Sequence, residues 1–275
     1  MNTTTTTLVL GGTGKTGGRI VERLTARGVD VRVGSRSGEF PFDWTDRSTW
    51  AAALAGVRRV YVSYYPDLAI PGAVEAVTAL SEAARAAGVE RLVLLSGRGE
   101  EEAQAAERVV QESGLEWTIV RCAWFNQNFD ENYLLEPILA GEVALPAGDV
   151  PEPFVDADDI ADVAVAALTE DGHVGELYEL TGPRLLTFAE AVAEIAKATG
   201  REIAFVPVPL DDYSAALEAE GLPSDIAWLI GYLFREVLDG RNASLADGVQ
   251  RALGRAPKDF TDYARDAAAT GVWTA

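Results

Sequence analysis

Gly11, Gly14 and Gly17 stand three residues apart, between the apolar run Thr6-Thr7-Leu8-Val9-Leu10 and a helical pattern from Arg19 to Arg27. Glycines at this spacing let a chain turn tightly, bring backbone N–H groups against a phosphate, and lay the following helix close on a sheet. The partly positive N-terminus of that helix attracts an anion. The expected chemistry is therefore binding of a dinucleotide diphosphate, with Gly11, Thr13, Gly14, Lys15, Thr16 and Gly17 as contacts. The Gly14-Lys15-Thr16 triplet resembles part of an ATP-binding P-loop, but that motif needs a glycine where this chain has Val9. Spacing excludes the ATPase.

The stretch Val29 to Gly34 reads as a second strand and is followed by Ser35-Arg36-Ser37. Where an NAD-specific protein commonly carries an acidic residue for the ribose 2′-hydroxyl, these hydroxyls and a guanidinium suit a 2′-phosphate. That reading prefers NADP(H) over NAD(H); a solvated turn arginine is the plainer alternative. Asp43 and Trp44, in a short strand candidate at Pro41 to Trp44, lie where an adenine would be held, and Thr45 or Asp46 is placed to cap the next helix. Ser63, Tyr64 and Tyr65 close the strand Val57 to Ser63. The ends of parallel strands form the ligand crevice of an open sheet, so Ser63 and Tyr64 are cofactor candidates and Tyr65 a substrate candidate, with core packing as the other possibility.

The apolar strand Arg91 to Leu95 ends in Ser96-Gly97, a helix follows over Glu100 to Ser113, and Leu115 to Arg121 forms another strand. Strands alternating with helices imply an α/β fold, a Rossmann-type doubly wound parallel sheet, with a small, mostly helical C-terminal lobe that caps the substrate. Residues 1–150 are assigned to the NAD(P)-binding domain and 151–275 to the remaining strands and the lobe, as one continuous unit. Pro151 to Asp156, Glu176 to Leu180 and Ile203 to Val208 are read as strands. Thr187 is read as the cap of a helix reaching Thr199. Asp156, Asp158 and Asp159 could be drawn as metal ligands, but helix capping is the better reading of aspartates at a helix start, and no metal is expected.

The chain has 275 residues with 43 acidic and 23 basic side chains, a formal charge of -20. Such a surface repels a phosphate backbone, so nucleic acid is not an expected partner. One cysteine, Cys122, excludes an internal disulfide and a thiolate zinc site. The polar start lacks the marks of a signal peptide and no apolar run suits a membrane span, so a cytoplasmic protein without membrane contact is expected, as monomer or homodimer, acting on a small molecule. The sole histidine, His173, falls in Asp171-Gly172-His173-Val174-Gly175 and reads as an ordinary surface turn residue.

Most short-chain dehydrogenases place Tyr-x-x-x-Lys on the helix after the serine strand, where it passes a proton to a carbonyl oxygen. Here that helix reads Glu100-Glu101-Glu102-Ala103-Gln104-Ala105-Ala106-Glu107-Arg108, and the lysines of the chain are Lys15, Lys197 and Lys258. Ordinary carbonyl reduction lacks its usual acid. Hydride transfer to an acceptor needing no proton in that step remains physically reasonable, because positioning alone can supply about 7–11 kcal/mol.

The runs GGTGKTGGRI, GSRSGEFPFDWTDRSTW, LVLLSG and GLEWTIVRCAWFNQNF together resemble the NmrA-like branch of atypical short-chain dehydrogenases, and within it the ergot-alkaloid reductases acting on agroclavine- or festuclavine-type precursors. The resemblance continues through FVDADDIADVA and ELYELTGP. It implies NADP(H) on the glycine loop with Ser35 and Arg36 on the 2′-phosphate, and it implies that Ser96 and the turn from Cys122 to Phe125 border the nicotinamide. Related quinone oxidoreductases have a histidine where this chain has Gln104; Ser96 and Gln104 are the catalytic candidates. Trp124, Phe125 and Asn128 are substrate candidates, Asn126 and Asn128 being equally readable as helix caps. The expected function is an NADPH-dependent reductase of an imine or iminium. The alternatives are a quinone oxidoreductase and a non-catalytic sensor of NADP(H).

Overall fold

The computed structural model describes residues 5–219 and 221–274; residues 1–4 of the polar start lie outside them. In chain order the elements are β1 (Thr6–Leu10), α1 (Lys15–Ala26), β2 (Asp30–Gly34), α2 (Trp50–Leu54), β3 (Val57–Val62), α3 (Ala73–Ala87), β4 (Arg91–Gly97), α4 (Glu101–Gln111) and β5 (Glu116–Cys122). Then come α5 (Leu135–Ala140), β6 (Glu142–Leu145), α6 (Ala157–Thr169), β7 (Glu176–Leu180), α7 (Phe188–Thr199) and β8 (Ala204–Pro207). The chain closes with α8 (Leu210–Ala219), α9 (Ser224–Tyr232), α10 (Gly248–Leu253) and α11 (Phe260–Thr270).

Six strands form one sheet in the order β2-β1-β3-β4-β5-β7, every neighbouring pair parallel. Side chains alternate across a strand, and the core follows that period. Leu8, Leu10, Val60, Val62, Leu92, Leu94 and Ile119 share one buried cluster with residues of α2, α3 and α4. Val9, Tyr61, Val93 and Val120, of opposite parity, are buried as well. Strands buried on both faces explain the near-continuous apolar runs. Helix α1 buries Thr16, Gly17, Ile20 and Leu24, a four-residue spacing along one stripe. Beyond that stripe Arg19 and Arg23 reach Asp158 of α6 at 3.2 and 2.7 Å, and Arg23 reaches Asp162 at 2.7 Å. Arg255 holds Asp159 at 2.5 Å. Two of the three clustered aspartates are thus ion-pair partners of arginines.

The chain divides into two compact units, residues 1–122, 157–180 and 248–255 in one and 123–156, 181–247 and 256–275 in the other. A single division near residue 150 therefore does not describe it. Helix α6, β7 and α10 return to the first unit, because β7 pairs with β5 and α10 packs on both β7 and α6.

In the second unit β8 is not a further strand of the large sheet; it pairs in parallel with β6, whose existence the sequence pattern did not announce. Pro41–Trp44 and Pro151–Asp156 make isolated bridges rather than strands: Ser35 with Pro41, Asp43 with Asp46, Phe125 with Val155, and Glu152 with Leu186. Proline, lacking an N–H, interrupts both segments. Thr187 begins α7 through a reciprocal capping box with Glu190. Around α7 the core is aromatic, with Phe188 edge-on to Phe154 at 5.0 Å and Trp124 edge-on to Phe188 at 5.3 Å. The indole of Trp273, fully enclosed, donates to the Phe129 carbonyl at 3.0 Å.

His173 is buried, against the expectation of a surface turn. Its Nδ1 hydrogen-bonds the Tyr178 hydroxyl at 2.9 Å, and its carbonyl accepts from the Thr118 hydroxyl at 2.7 Å. Those two partners on β7 and β5 draw the turn under the sheet edge, where a polar ring is satisfied rather than solvated.

Candidate functional site

The turn after β1 is built by backbone. Gly11 sits at φ 66°, a left-handed conformation that glycine adopts without strain, and its carbonyl accepts the Gly14 N–H at 2.8 Å. A β-carbon at position 17 would collide with the Gly11 carbonyl and with Gly12 Cα, so only glycine lets α1 approach this closely. Gly14 precedes α1 in extended conformation, no side chain caps the helix, and no acidic residue stands in its first turn. The N–H groups of that first turn have no intrahelical acceptor and carry the positive end of the helix dipole. These residues fit a dinucleotide diphosphate. Gly11, Thr13 and Gly14 are exposed, Lys15 is partly exposed, and Gly17 is buried beneath the turn. The Thr16 hydroxyl faces inward, where it accepts from Tyr61 of β3 at 2.9 Å, so that side chain anchors the loop to the sheet.

The ends of β2 and β3 bring six of the expected residues together. Arg36 is exposed, with its guanidinium 6.0 Å from the ring centroid of Tyr65, itself 69% exposed. The Asp43 carboxylate accepts from the Thr45 N–H at 2.8 Å and the Thr45 hydroxyl at 2.7 Å. Those hydrogen bonds hold it below the usual carboxylate range, with a smaller contribution from the charge of Arg36. The Trp44 indole donates to the Ser63 carbonyl at 3.2 Å and meets Tyr64 edge-on at 4.7 Å. Phe42 and Trp50, which the sequence did not single out, complete the aromatic group: Phe42 stacks on Trp50 at 5.5 Å, and Trp50 donates to the Asp43 carbonyl at 2.7 Å.

Ser96, the penultimate residue of β4, is buried, its hydroxyl donating to Glu107 of α4 at 2.6 Å. Glu107 also takes Arg121 of β5 in a two-pronged contact, Nε at 2.9 Å and the second prong from Nη2. Neither Glu107 nor Arg121 was anticipated, although one signal was available: Glu107 falls on the apolar stripe Ala103, Ala106 and Val110. Gln104 lies partly exposed on the same helix. Cys122 is buried at the end of β5, and burial pushes its thiol well above the ordinary range, which makes it a packed side chain without nucleophilic character.

Trp124, Phe125 and Asn128 belong to the second unit. The Trp124 ring lies against Phe188 and Phe234, each at 5.3 Å. Phe125 pairs with Val155 through the backbone. Asn128 is partly exposed in a short 3-10 turn that no side chain caps. Asn126 is buried and reaches Asp156 at 3.4 Å. Asp156, within 3.8 Å of Lys258, is held by that unit's own side chains. Among the described residues no helix is long and apolar enough to cross a membrane.

Comparison with known proteins identifies the family. Residues 11–171 match the family model for NAD(P)H-binding proteins. An uncharacterised oxidoreductase, YesF, of Bacillus subtilis is 33% identical over 97% of both chains. NAD(P)H azoreductase of Xenophilus azovorans is 31% identical over 95% of this chain and 98% of its own. Festuclavine dehydrogenase easG of Aspergillus fumigatus is 30% identical over 94% and 96%. The crystal structure of NmrA, a negative transcriptional regulator, in complex with NADP shares the fold, with a TM-score of 0.73 and 17% identity over 98% of this chain and 97% of that one. The protein is an NAD(P)H-dependent oxidoreductase. Within that class the chain belongs to the NAD(P)H-binding family whose model it matches.

Proposed function

We propose that the protein is an NADPH-dependent reductase that transfers hydride to a small organic acceptor, an imine or iminium. The observation carrying this reading is the uncapped glycine cradle at the start of α1 together with the exposed Arg36 at the end of β2. Backbone N–H groups of the cradle would take the diphosphate. Ser35 and Arg36 would take the 2′-phosphate, as a guanidinium suits a doubly charged anion. The aromatic group of Trp44 and Tyr64 would flank the adenine side. Ser96, locked on Glu107, would border the nicotinamide. The bound reduced nicotinamide supplies a hydride. The chain's own part is to hold acceptor and cofactor in register, because helix α4 carries neither tyrosine nor lysine.

Kinship with a festuclavine dehydrogenase and an NAD(P)H azoreductase supports a reductase of small organic acceptors. We place the enzyme in the cytoplasm, as monomer or homodimer. Following NADPH absorbance with a panel of cyclic imines, azo compounds, quinones and aldehydes tests the reading. Turnover of imines is expected, and absence of turnover with every acceptor would overturn it.

A further inference from the structure

The glycine cradle rests on β3 as well as on its own backbone. Tyr61 of β3 stands in register with Val9 of β1, the strand that runs into the cradle, and its ring is fully enclosed. The Tyr61 hydroxyl donates to the Thr16 hydroxyl at 2.9 Å, and Thr16 is itself buried in the first turn of α1. Two residues further along, Ser63 lies beside Gly11, where an added β-carbon would meet the Ser63 Cβ at 3.5 Å. The chain of β3 and the residue after it thus touch the cradle at two points, and one of them is a hydrogen bond between side chains.

That bond is selective. A hydroxyl taken from water into a packed interior costs free energy unless it finds a partner, and Tyr61 has Thr16. Burial pushes the Tyr61 hydroxyl well above the usual phenol range, so it stays a donor at any pH near neutrality. Thr25, on the same helix, returns its hydroxyl to the Val21 carbonyl at 2.7 Å, the ordinary local bond of a threonine in a helix. Thr16 instead meets a neighbouring strand, which fixes the height and rotation of the first turn of α1 relative to the sheet. This is the turn whose N–H groups lack an intrahelical acceptor and which Gly17 lets approach the Gly11 carbonyl.

Resting on the diphosphate placement above, we propose that Tyr61 is a positioning residue for the coenzyme: through Thr16 it holds the first turn of α1 where the N–H groups of that turn meet the diphosphate. Tyr61 is enclosed and acts only through Thr16. Its effect belongs to the diphosphate, which NADPH and NADH share, and is separate from that of Arg36 on the 2′-phosphate.

Tyr61→Phe keeps the ring and removes the hydroxyl alone. In titration calorimetry the Kd of NADPH and that of NADH are expected to rise together by about 3–10-fold, the range of one hydrogen bond between neutral groups. ADP-ribose, which carries the diphosphate without the nicotinamide, is expected to weaken equally, and adenosine 2′-monophosphate, which lacks the diphosphate, to keep its affinity. Thr16→Val is expected to match Tyr61→Phe, and the double variant to bind no more weakly than either single one, because both changes remove the same contact. Thr16→Ser, which keeps the hydroxyl, is expected to bind like the wild type. Unchanged Kd values for Tyr61→Phe, losses that multiply in the double variant, or a weakening of adenosine 2′-monophosphate alongside the others overturns the positioning role. Should Tyr61→Phe fail to give a folded circular dichroism spectrum, the contrast between Thr16→Val and Thr16→Ser decides by the same measurements. Wild-type protein that binds neither NADPH nor NADH overturns the diphosphate placement itself, and this role with it.

Discussion

A β-carbon on residue 17 would stand inside the Gly11 carbonyl oxygen, so the first turn of α1 and the end of β1 are as close as backbone atoms allow. Gly17→Ala must therefore push the helix away from the turn. We expect NADPH and NADH affinities to fall together by at least ~10-fold, about 1.4 kcal/mol, with a folded circular dichroism spectrum. Titration calorimetry on the variant checks it; unchanged affinity for both would remove the cradle from the site.

Arg36 contributes differently, because it is exposed and separate from the cradle. Arg36→Glu exchanges a charge-assisted contact, worth about 1.5–3 kcal/mol, for repulsion. The NADPH Kd is expected to rise by about 10–100-fold while that of NADH moves by less than about 3-fold. Equal loss for the two cofactors would contradict a 2′-phosphate contact.

Much of this arrangement was legible in the amino-acid sequence. Three-residue glycine spacing between an apolar run and a helical pattern has few other uses, and the run of strand-like and helix-like segments defined the parallel sheet. What escaped was set by partners distant in sequence. The pairing of β6 with β8 and the burial of His173 beside Tyr178 depend on where the chain returns, which no local period records. Position marked Trp44 and Tyr64, whereas Phe42 and Trp50 join them only because the turn after β2 closes on itself.

The Ser96–Glu107–Arg121 network makes a stability prediction. Glu107→Ala leaves the largely buried Arg121 without its partner, a change that typically costs about 3–5 kcal/mol. Urea unfolding of Glu107→Ala should show a loss of that order, and Glu107→Gln, which retains hydrogen bonds, a smaller one. A loss below about 1 kcal/mol for the alanine variant would show that the network is incidental.

The Arg184–Asp259 pair contributes to acid sensitivity in the second unit. Asp259 accepts from Arg184 at 2.8 Å, and that contact foremost lowers its pKa to about 2 from 3.8. A depressed folded-state value stabilises the protein above the unfolded pKa, and the contribution fades as pH falls from about 4 toward 2. Asp259→Asn, which still caps α11, should cost about 1–2 kcal/mol at pH 7 after allowance for partial exposure, and progressively less as pH falls through about 2. Thermal unfolding across that range checks both limits.

Hydride transfer itself is the central claim, and one labelling experiment reaches it directly. NADPH deuterated at the transferring C4 position is mixed in a single turnover with a cyclic imine, and the amine is examined by mass spectrometry. The account predicts one deuterium on the acceptor carbon; tightly bound NADPH that keeps its deuterium with every acceptor offered would contradict it.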